Sequence, residues 1–230
     1  MNNSEAIAMK SIARMHSDFP SKFGVPRQSG LVEDLRARIV FEPEYRIAEA
    51  VRGLDQFSHI WLIWQFSATL RETWSPTVRP PRLGGNARMG VFATRSPFRP
   101  NSIGLSCVRL ERVEHHPSLG PVLHVLGGDL MDQTPILDLK PYLPYTDAHP
   151  EAQGGFANQA PEPLEVEIPP RWLAAVPEHL RAPLAAVLAQ DPRPSYQSGS
   201  QRVYGMEFAG LEIKFQVEES RLRVCGVFPK

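Results

Sequence analysis

Only two cysteines, Cys107 and Cys225, occur in 230 residues. Isolated and far apart, they give neither a disulfide framework nor a zinc site. Both read as small buried hydrophobes in a reducing compartment. No apolar run reaches the roughly 18 residues that a membrane-spanning helix needs, so none is expected. The opening MNNSEAIAMK has no basic stretch followed by an apolar one, which argues against a secretory signal and for the cytoplasm. The usual nucleotide and catalytic signatures are missing too. GGNARMG has the wrong spacing for G-x-G-x-x-G, and there is no phosphate loop, G-x-S-x-G, H-E-x-x-H or paired C-x-x-C. The seven histidines do not cluster. Neighbours such as His115 and His116 point to opposite faces of a strand, and no metal site is expected.

One further absence is local. Between Thr73 and Leu110 there is no Asp, Glu or Lys, although net charge over the whole chain is zero. The same window holds Arg79, Arg82, Arg88, Arg95, Arg99 and Arg109. Arginine suits bidentate phosphate contacts and stacking on bases. Six arginines without an intervening acid point to anion or nucleic-acid binding. The competing reading is that they pair with acids elsewhere in the fold.

Proline is abundant, at 23 residues, and it separates short segments instead of forming a linker. Short β-branched or aromatic runs between turns suggest a β-rich domain. ARIVF (37–41), HIWLIWQF (59–66), GVFAT (90–94), IGLSCVRLERV (103–113), PVLHVLGG (121–128) and PILDLKP (135–141) read as strands. HIWLIWQF is so apolar that both its faces are expected to be buried. RIAEAVRGL (46–54) has helical spacing. The expected fold is mainly β: a single-sheeted barrel of six to seven strands over residues 1–150. After the Gly/Pro/Gln-rich loop 149–163, a small α+β domain is expected over 160–230. It contains a helix at 177–190 and three strands, the last two forming a hairpin.

Polar groups are scattered through this apolar frame. Arg27 and Gln28 follow Pro26 in a turn, and Ser58 and His59 open a buried strand. Asp132 and Thr134 lie between two strands. Asp138, Lys140 and Tyr142 recur at period two and so share a strand face. Each has a plain structural explanation: a surface turn, a strand-end histidine, a turn cap, an ion pair. Together they suggest a polar pocket at one end of a barrel.

PTVRPPRLGGNARMGVFATRSPFRPNSIGLS resembles the signature of the TrmO family, also called the TsaA-like or YaeB-like domain. VPRQSGLV, AVRGLDQFSHIWLIWQF, DQTPILDLKPYLPY and AQDPRPSY resemble further motifs of that family, in its order. The resemblance implies a β-barrel that binds S-adenosylmethionine, works as a homodimer and acts on the anticodon loop of tRNA. The implied reaction is transfer of a methyl group to N6 of N6-threonylcarbamoyladenosine at position 37 of threonine tRNAs. It implies a cofactor pocket from Pro26, Arg27, Gln28, His59, Ile60, Arg95, Leu105, Asp132, Gln133, Thr134 and Pro135. Gln133 departs from the family pattern, Asp-Gly-Thr-Pro, at a position where glycine permits positive φ or close backbone approach.

For the chemistry, Asp138, or Tyr142 with Lys140 beside it, is the expected base. Arg82, Arg88, Arg99, Asn101, Arg193 and Tyr196 are expected on the RNA side, with Trp74, Tyr142 and Tyr196 as stacking candidates. The alternatives are a barrel that binds RNA or a nucleotide without catalysis, and a methyltransferase of this fold with another substrate.

Overall fold

A computed structural model describes residues 6–70, 73–84, 87–193 and 202–230. In chain order the strands are β1 (Ala13–His16), β2 (Arg36–Phe41), β3 (His59–Gln65), β4 (Thr77–Val78), β5 (Met89–Gly90), β6 (Ile103–His116), β7 (Gly120–Leu126) and β8 (Pro135–Pro141). Then follow α1 (Pro144–Asp147), β9 (Glu165–Glu167), α2 (Pro170–Leu173), α3 (Glu178–Ala189), β10 (Tyr204–Phe208), β11 (Leu211–Glu218) and β12 (Arg221–Pro229).

Six strands close an antiparallel barrel in the order β1-β2-β7-β6-β3-β8, which leaves no sheet edge open. Alternation decides what faces inward. In β3, Ile60, Leu62 and Trp64 fill the interior, while His59, Trp61, Ile63 and Gln65 face out. Ile39, Val108, Leu123 and Ile136 complete that core from four other strands. β6 is long enough to serve two partners: its first half pairs with β3 and its second half with β7, with an irregularity at Leu110–Arg112.

Several expectations from the sequence are corrected. HIWLIWQF buries one face only; the other is half-exposed, because a barrel wall has its core on one side. RIAEAVRGL is not an α-helix but two 3₁₀ turns, Ala48–Val51 and Leu54–Gln56. Extended Arg52 and Gly53 at φ 80° separate them. GVFAT is not a strand. Only Met89–Gly90 pairs, with Thr77–Val78, and Val91–Ala93 is a 3₁₀ turn closed by the Thr94 hydroxyl on the Val91 carbonyl. Cys107 and Cys225 are half-buried free thiols, so neither is the buried hydrophobe expected. β1 was not anticipated: two inward residues, Ala13 and Met15, are too few to make a legible period.

The C-terminal sheet runs β10-β11-β12-β9, with β9 parallel to β12. Leu184, Val187 and Leu188 of α3 share its core with Phe208, Ile213, Phe215 and Leu222. That core is not made by the tail alone. Phe19, Val32 and Leu35, from the β1–β2 connection, are buried in it, and the Phe19 and Phe208 rings lie 5.4 Å apart. The 17–35 segment is thus clamped between the barrel and the tail. Among the described residues no helix is long and apolar enough to cross a membrane.

Candidate functional site

The C-terminal ends of β1, β3 and β7 and the N-terminal ends of β2, β6 and β8 meet at one end of the barrel. A cavity of about 760 Å³ opens there. A broader depression of about 1560 Å³ adjoins it, and the two share Arg27, Gln28, Phe92, Thr94 and Arg95.

The inner cavity has a polar chain in its wall. The Trp64 Nε1–H donates to Ser106 Oγ at 2.9 Å, and Ser106 Oγ lies 2.6 Å from Asp129 Oδ1. An indole nitrogen can only donate, so the serine hydrogen must go to Asp129. Gly104 makes room for this arrangement, since a Cβ there would lie 2.2 Å from the Trp64 ring. Burial pushes the Asp129 carboxyl above its ordinary range, against the opposing hydrogen bond from Ser106 and the charge of Arg95. Among the described lining residues Asp129 is the sole acid, against Lys22, Arg27, Arg95 and Arg99.

The rim is arginine-rich. Arg95 and Arg99 line the inner cavity, and Arg79, Arg82, Arg88 and Arg95 the outer one. Arg99 donates to the Thr94 carbonyl, Arg88 to the Thr77 hydroxyl and Arg95 to Gln28 Oε1. Among the described residues none of these five, nor Arg109, forms a salt bridge. Among the described residues the ion-pair explanation of the acid-free window therefore finds no support. Phe92 is 72 % exposed on the shared rim; it stacks with half-exposed Trp74 and lies under the Arg99 guanidinium.

The residues singled out from the sequence divide into three groups. Pro26, Arg27, Gln28, Arg95, Leu105 and Thr134 line the inner cavity, together with Arg99 and Asn101. Arg82 and Arg88 line the outer one. A second group sits on the outer barrel wall: His59, Asp138, Lys140 and Tyr142, none of which lines the cavity of its own chain. Asp138 and Lys140 do share a face, but as an ion pair at 3.0 Å. The Tyr142 ring rests 5.9 Å from Trp61 and 6.1 Å from His59. The third group serves the frame. Ile60 is wholly buried in the barrel core, and Pro135 starts β8. Asp132 accepts from the Ser17 N–H and lines a separate groove beneath α3. Gln133 is exposed at φ 62°. Arg193 is held by Asp191 at 2.8 and 2.9 Å, with its side chain 18 % exposed. Tyr196 lies outside the described residues.

Sequence reading missed Asp129, Ser106, Trp64 and Phe92 as pocket residues. Asp129 in GGDLMD reads as a turn residue, and Phe92 sits in a run mistaken for a strand.

Comparison with known proteins gives the family. The model of the tRNA-methyltransferase O N-terminal domain matches residues 14–148, and that of the TrmO C-terminal domain residues 161–230. The chain belongs to the TrmO family. A tRNA (adenine(37)-N6)-methyltransferase of Escherichia coli (strain K12) is 41% identical over 234 residues, 96% of this chain and 97% of that protein. One of Eikenella corrodens, with the same name, is 51% identical over 172 residues, 74% of this chain and 97% of that protein. A crystal structure of TrmO from P. aeruginosa superposes over the whole of both chains with a TM-score of 0.81 at 33% identity. The TrmO signature noted in the sequence spans Pro76–Ser106, which runs from the outer cavity to Ser106 in the wall of the inner one.

Proposed function

We propose that this protein transfers a methyl group from S-adenosylmethionine to N6 of N6-threonylcarbamoyladenosine at position 37 of threonine tRNAs. The observation that carries the reading is the set of arginines around two joined cavities that form no salt bridge among the described residues. A cavity of about 760 Å³ is of the size that holds a small organic cofactor. Its donors suit S-adenosylmethionine. Arg95 or Arg27 faces a carboxylate, and Phe66, Phe92 and Leu105 offer apolar cover. When bound, this cofactor supplies an electrophilic methyl carbon on a sulfonium.

The remaining work falls to the chain. Arg99 is pre-set by its bond to the Thr94 carbonyl and faces the substrate's threonyl carboxylate, for which a guanidinium is the fitting partner. Arg79, Arg82 and Arg88 take phosphates of the anticodon loop. A base in a single-stranded loop is already free to splay out, and the exposed Phe92–Trp74 pair gives it a surface to stack on. The C-terminal unit assists tRNA binding by bracing the Arg27 turn. Such a substrate puts the enzyme in the cytoplasm.

The active form in this reading is a homodimer. Trp61, Ile63, Leu105 and Tyr142 make an apolar outer wall continuous with the cavity rim at Leu105. A second copy seated on that wall brings His59, Asp138, Lys140 and Tyr142 toward a neighbour's cavity. The test of function uses threonine tRNA from a strain lacking the gene, incubated with the pure protein and S-adenosylmethionine. Mass spectrometry of its nucleosides should show one added methyl on N6-threonylcarbamoyladenosine; an unchanged nucleoside would sink the reading.

A further inference from the structure

The reaction just proposed leaves a proton to be placed. The attacking nitrogen carries one hydrogen, and its lone pair is drawn toward both the purine and the carbamoyl carbonyl. It becomes a good nucleophile only as that hydrogen leaves, which calls for a carboxylate or similar base within reach of the reacting atoms. In a single copy of the chain, Asp138 and Tyr142 lie on the outer wall, and Asp138 is tied to Lys140.

Resting on the methyltransferase reading, we infer that Asp129 is the proton acceptor of the reaction. Three features of the site carry this. Asp129 is the sole acid among the described residues that line the inner cavity. Among the described residues it enters no salt bridge; the cation acting on it is Arg95, which is bonded to Gln28. Its orientation is set by a one-way hydrogen-bond chain. Trp64 donates to Ser106, and Ser106 to Asp129 Oδ1. The backbone N–H groups of Ser29 and of Asp129 itself add to the hold. Such a chain ends on an acceptor and keeps the carboxylate in one pose. The carboxyl is also held above the usual range by burial, which makes it a stronger base than a solvated aspartate.

The step balances. The N6 lone pair forms the new N–C bond to the methyl carbon, and the C–S bond breaks with its electron pair left on sulfur. The N6 proton passes to the Asp129 carboxylate. One sulfonium charge and one carboxylate charge disappear together, and Asp129 later returns its proton to water through the cavity mouth.

The charged groups around Asp129 are Lys22 and Arg27 from the clamped segment and Arg95 and Arg99 from the loop before β6. Burial raises the Asp129 carboxyl and the charge of Arg95 works against it; the acid limb of the pH–rate profile is assigned to Asp129, with His59 and Asp138 of a second copy as the rival titrating groups. The rate should fall as pH drops through its pKa, which lies above the ordinary aspartate value.

The experiment compares wild type, Asp129→Asn and Ser106→Ala. It follows single-turnover methylation of threonine tRNA across pH and measures S-adenosylhomocysteine binding by calorimetry. Asp129→Asn should lower the chemical step by roughly 100- to 10,000-fold and abolish the acid limb, with product binding little changed. Ser106→Ala removes a hydrogen bond that lowers the Asp129 pKa, so its acid limb should move to higher pH, which a purely structural serine would not cause. The proposal is overturned if Asp129→Asn keeps the limb, or if Asp138→Asn removes it instead. It also fails if Asp129→Asn loses product binding but reacts normally at saturating cofactor, or if Ser106→Ala leaves the limb in place. A wild type that binds no cofactor and methylates nothing would instead defeat the methyltransferase reading.

Discussion

The guanidinium of Arg27 reaches across to the C-terminal unit and donates to the main-chain carbonyls of Arg193, at 3.2 Å, and Asp191, at 3.4 Å. A residue of the cavity wall is thereby fixed by the tail. The tail loop is itself fixed by the Asp191–Arg193 pair, with Asp191 in the left-handed region at φ 50°. The motif expected to touch RNA thus spends its arginine on internal support.

Breaking that support should affect both stability and cofactor binding. Asn tolerates the left-handed conformation, so Asp191→Asn tests the charge alone. Burial works to raise the Asp191 carboxyl, but the hydrogen bonds and charge of Arg193 prevail and hold it below its usual value. A lowered folded-state pKa contributes stability above the unfolded value of about 3.9 and loses it as pH falls through the folded value. At neutral pH the variant should be less stable by ~1–2 kcal/mol, and the gap should close as the pH is brought below about 4. Thermal melts across pH check this, and calorimetry should show weaker S-adenosylhomocysteine binding.

Gln133 occupies a position whose backbone suits glycine. At φ 62° an L-residue carries a steric cost of roughly 1–2 kcal/mol. Its side chain gives back contacts with His16 Nδ1 and Asp132 Oδ2, both at the surface. Gln133→Gly should therefore melt at or above wild type, while Gln133→Val, β-branched and without those contacts, should lose about 1–2 kcal/mol. A Gln133→Gly variant less stable than wild type in denaturant titration would mean that the side-chain contacts dominate.

The barrel was legible wherever alternation was long enough. β2, β6, β7 and β8 read from inward Ile39, Val108, Leu123 and Ile136, and the final hairpin from Phe215 and Val224. The same alternation places Ile60 with Leu62 and Trp64 on the inside, against the cofactor role its family motif implied. The site was legible as charge: the acid-free arginine window does border the cavities. What could not be read was which polar residues fall on which side of a closed wall. Asp138 stands out in the sequence by its period-two spacing with Lys140 and Tyr142, whereas Asp129 carries no such signal. Register sends one to the outer wall and the turn after β7 sends the other into the cavity.

If the rim arginines meet phosphate, removing them should change binding in a recognisable way. Each phosphate contact on a single strand contributes roughly 0.7 to the slope of log affinity against log salt. The triple variant Arg79→Ala, Arg82→Ala, Arg88→Ala should lower that slope by about 2 in titrations of threonine tRNA. Its melting temperature should stay close to wild type, since none of the three forms a salt bridge among the described residues and Arg88 gives up one bond to Thr77. A large loss of stability with an unchanged salt slope would return these arginines to a structural role.

Phe92 offers the sharpest test of the substrate face. It is 72 % exposed, so nothing in the core depends on it, and truncation should leave the melt unchanged. Its ring is nonetheless held, by stacking on Trp74 and by Arg99 above it at 6.0 Å. A base stacked on such a ring is worth ~1–3 kcal/mol, so Phe92→Ala should weaken tRNA binding by roughly 5- to 150-fold. Phe92→Tyr keeps a ring of the same plane and should restore most of that loss, whereas Phe92→Leu, apolar but without a flat face, should not. Equal rescue by leucine and tyrosine would show that the site needs apolar cover rather than a stacking surface.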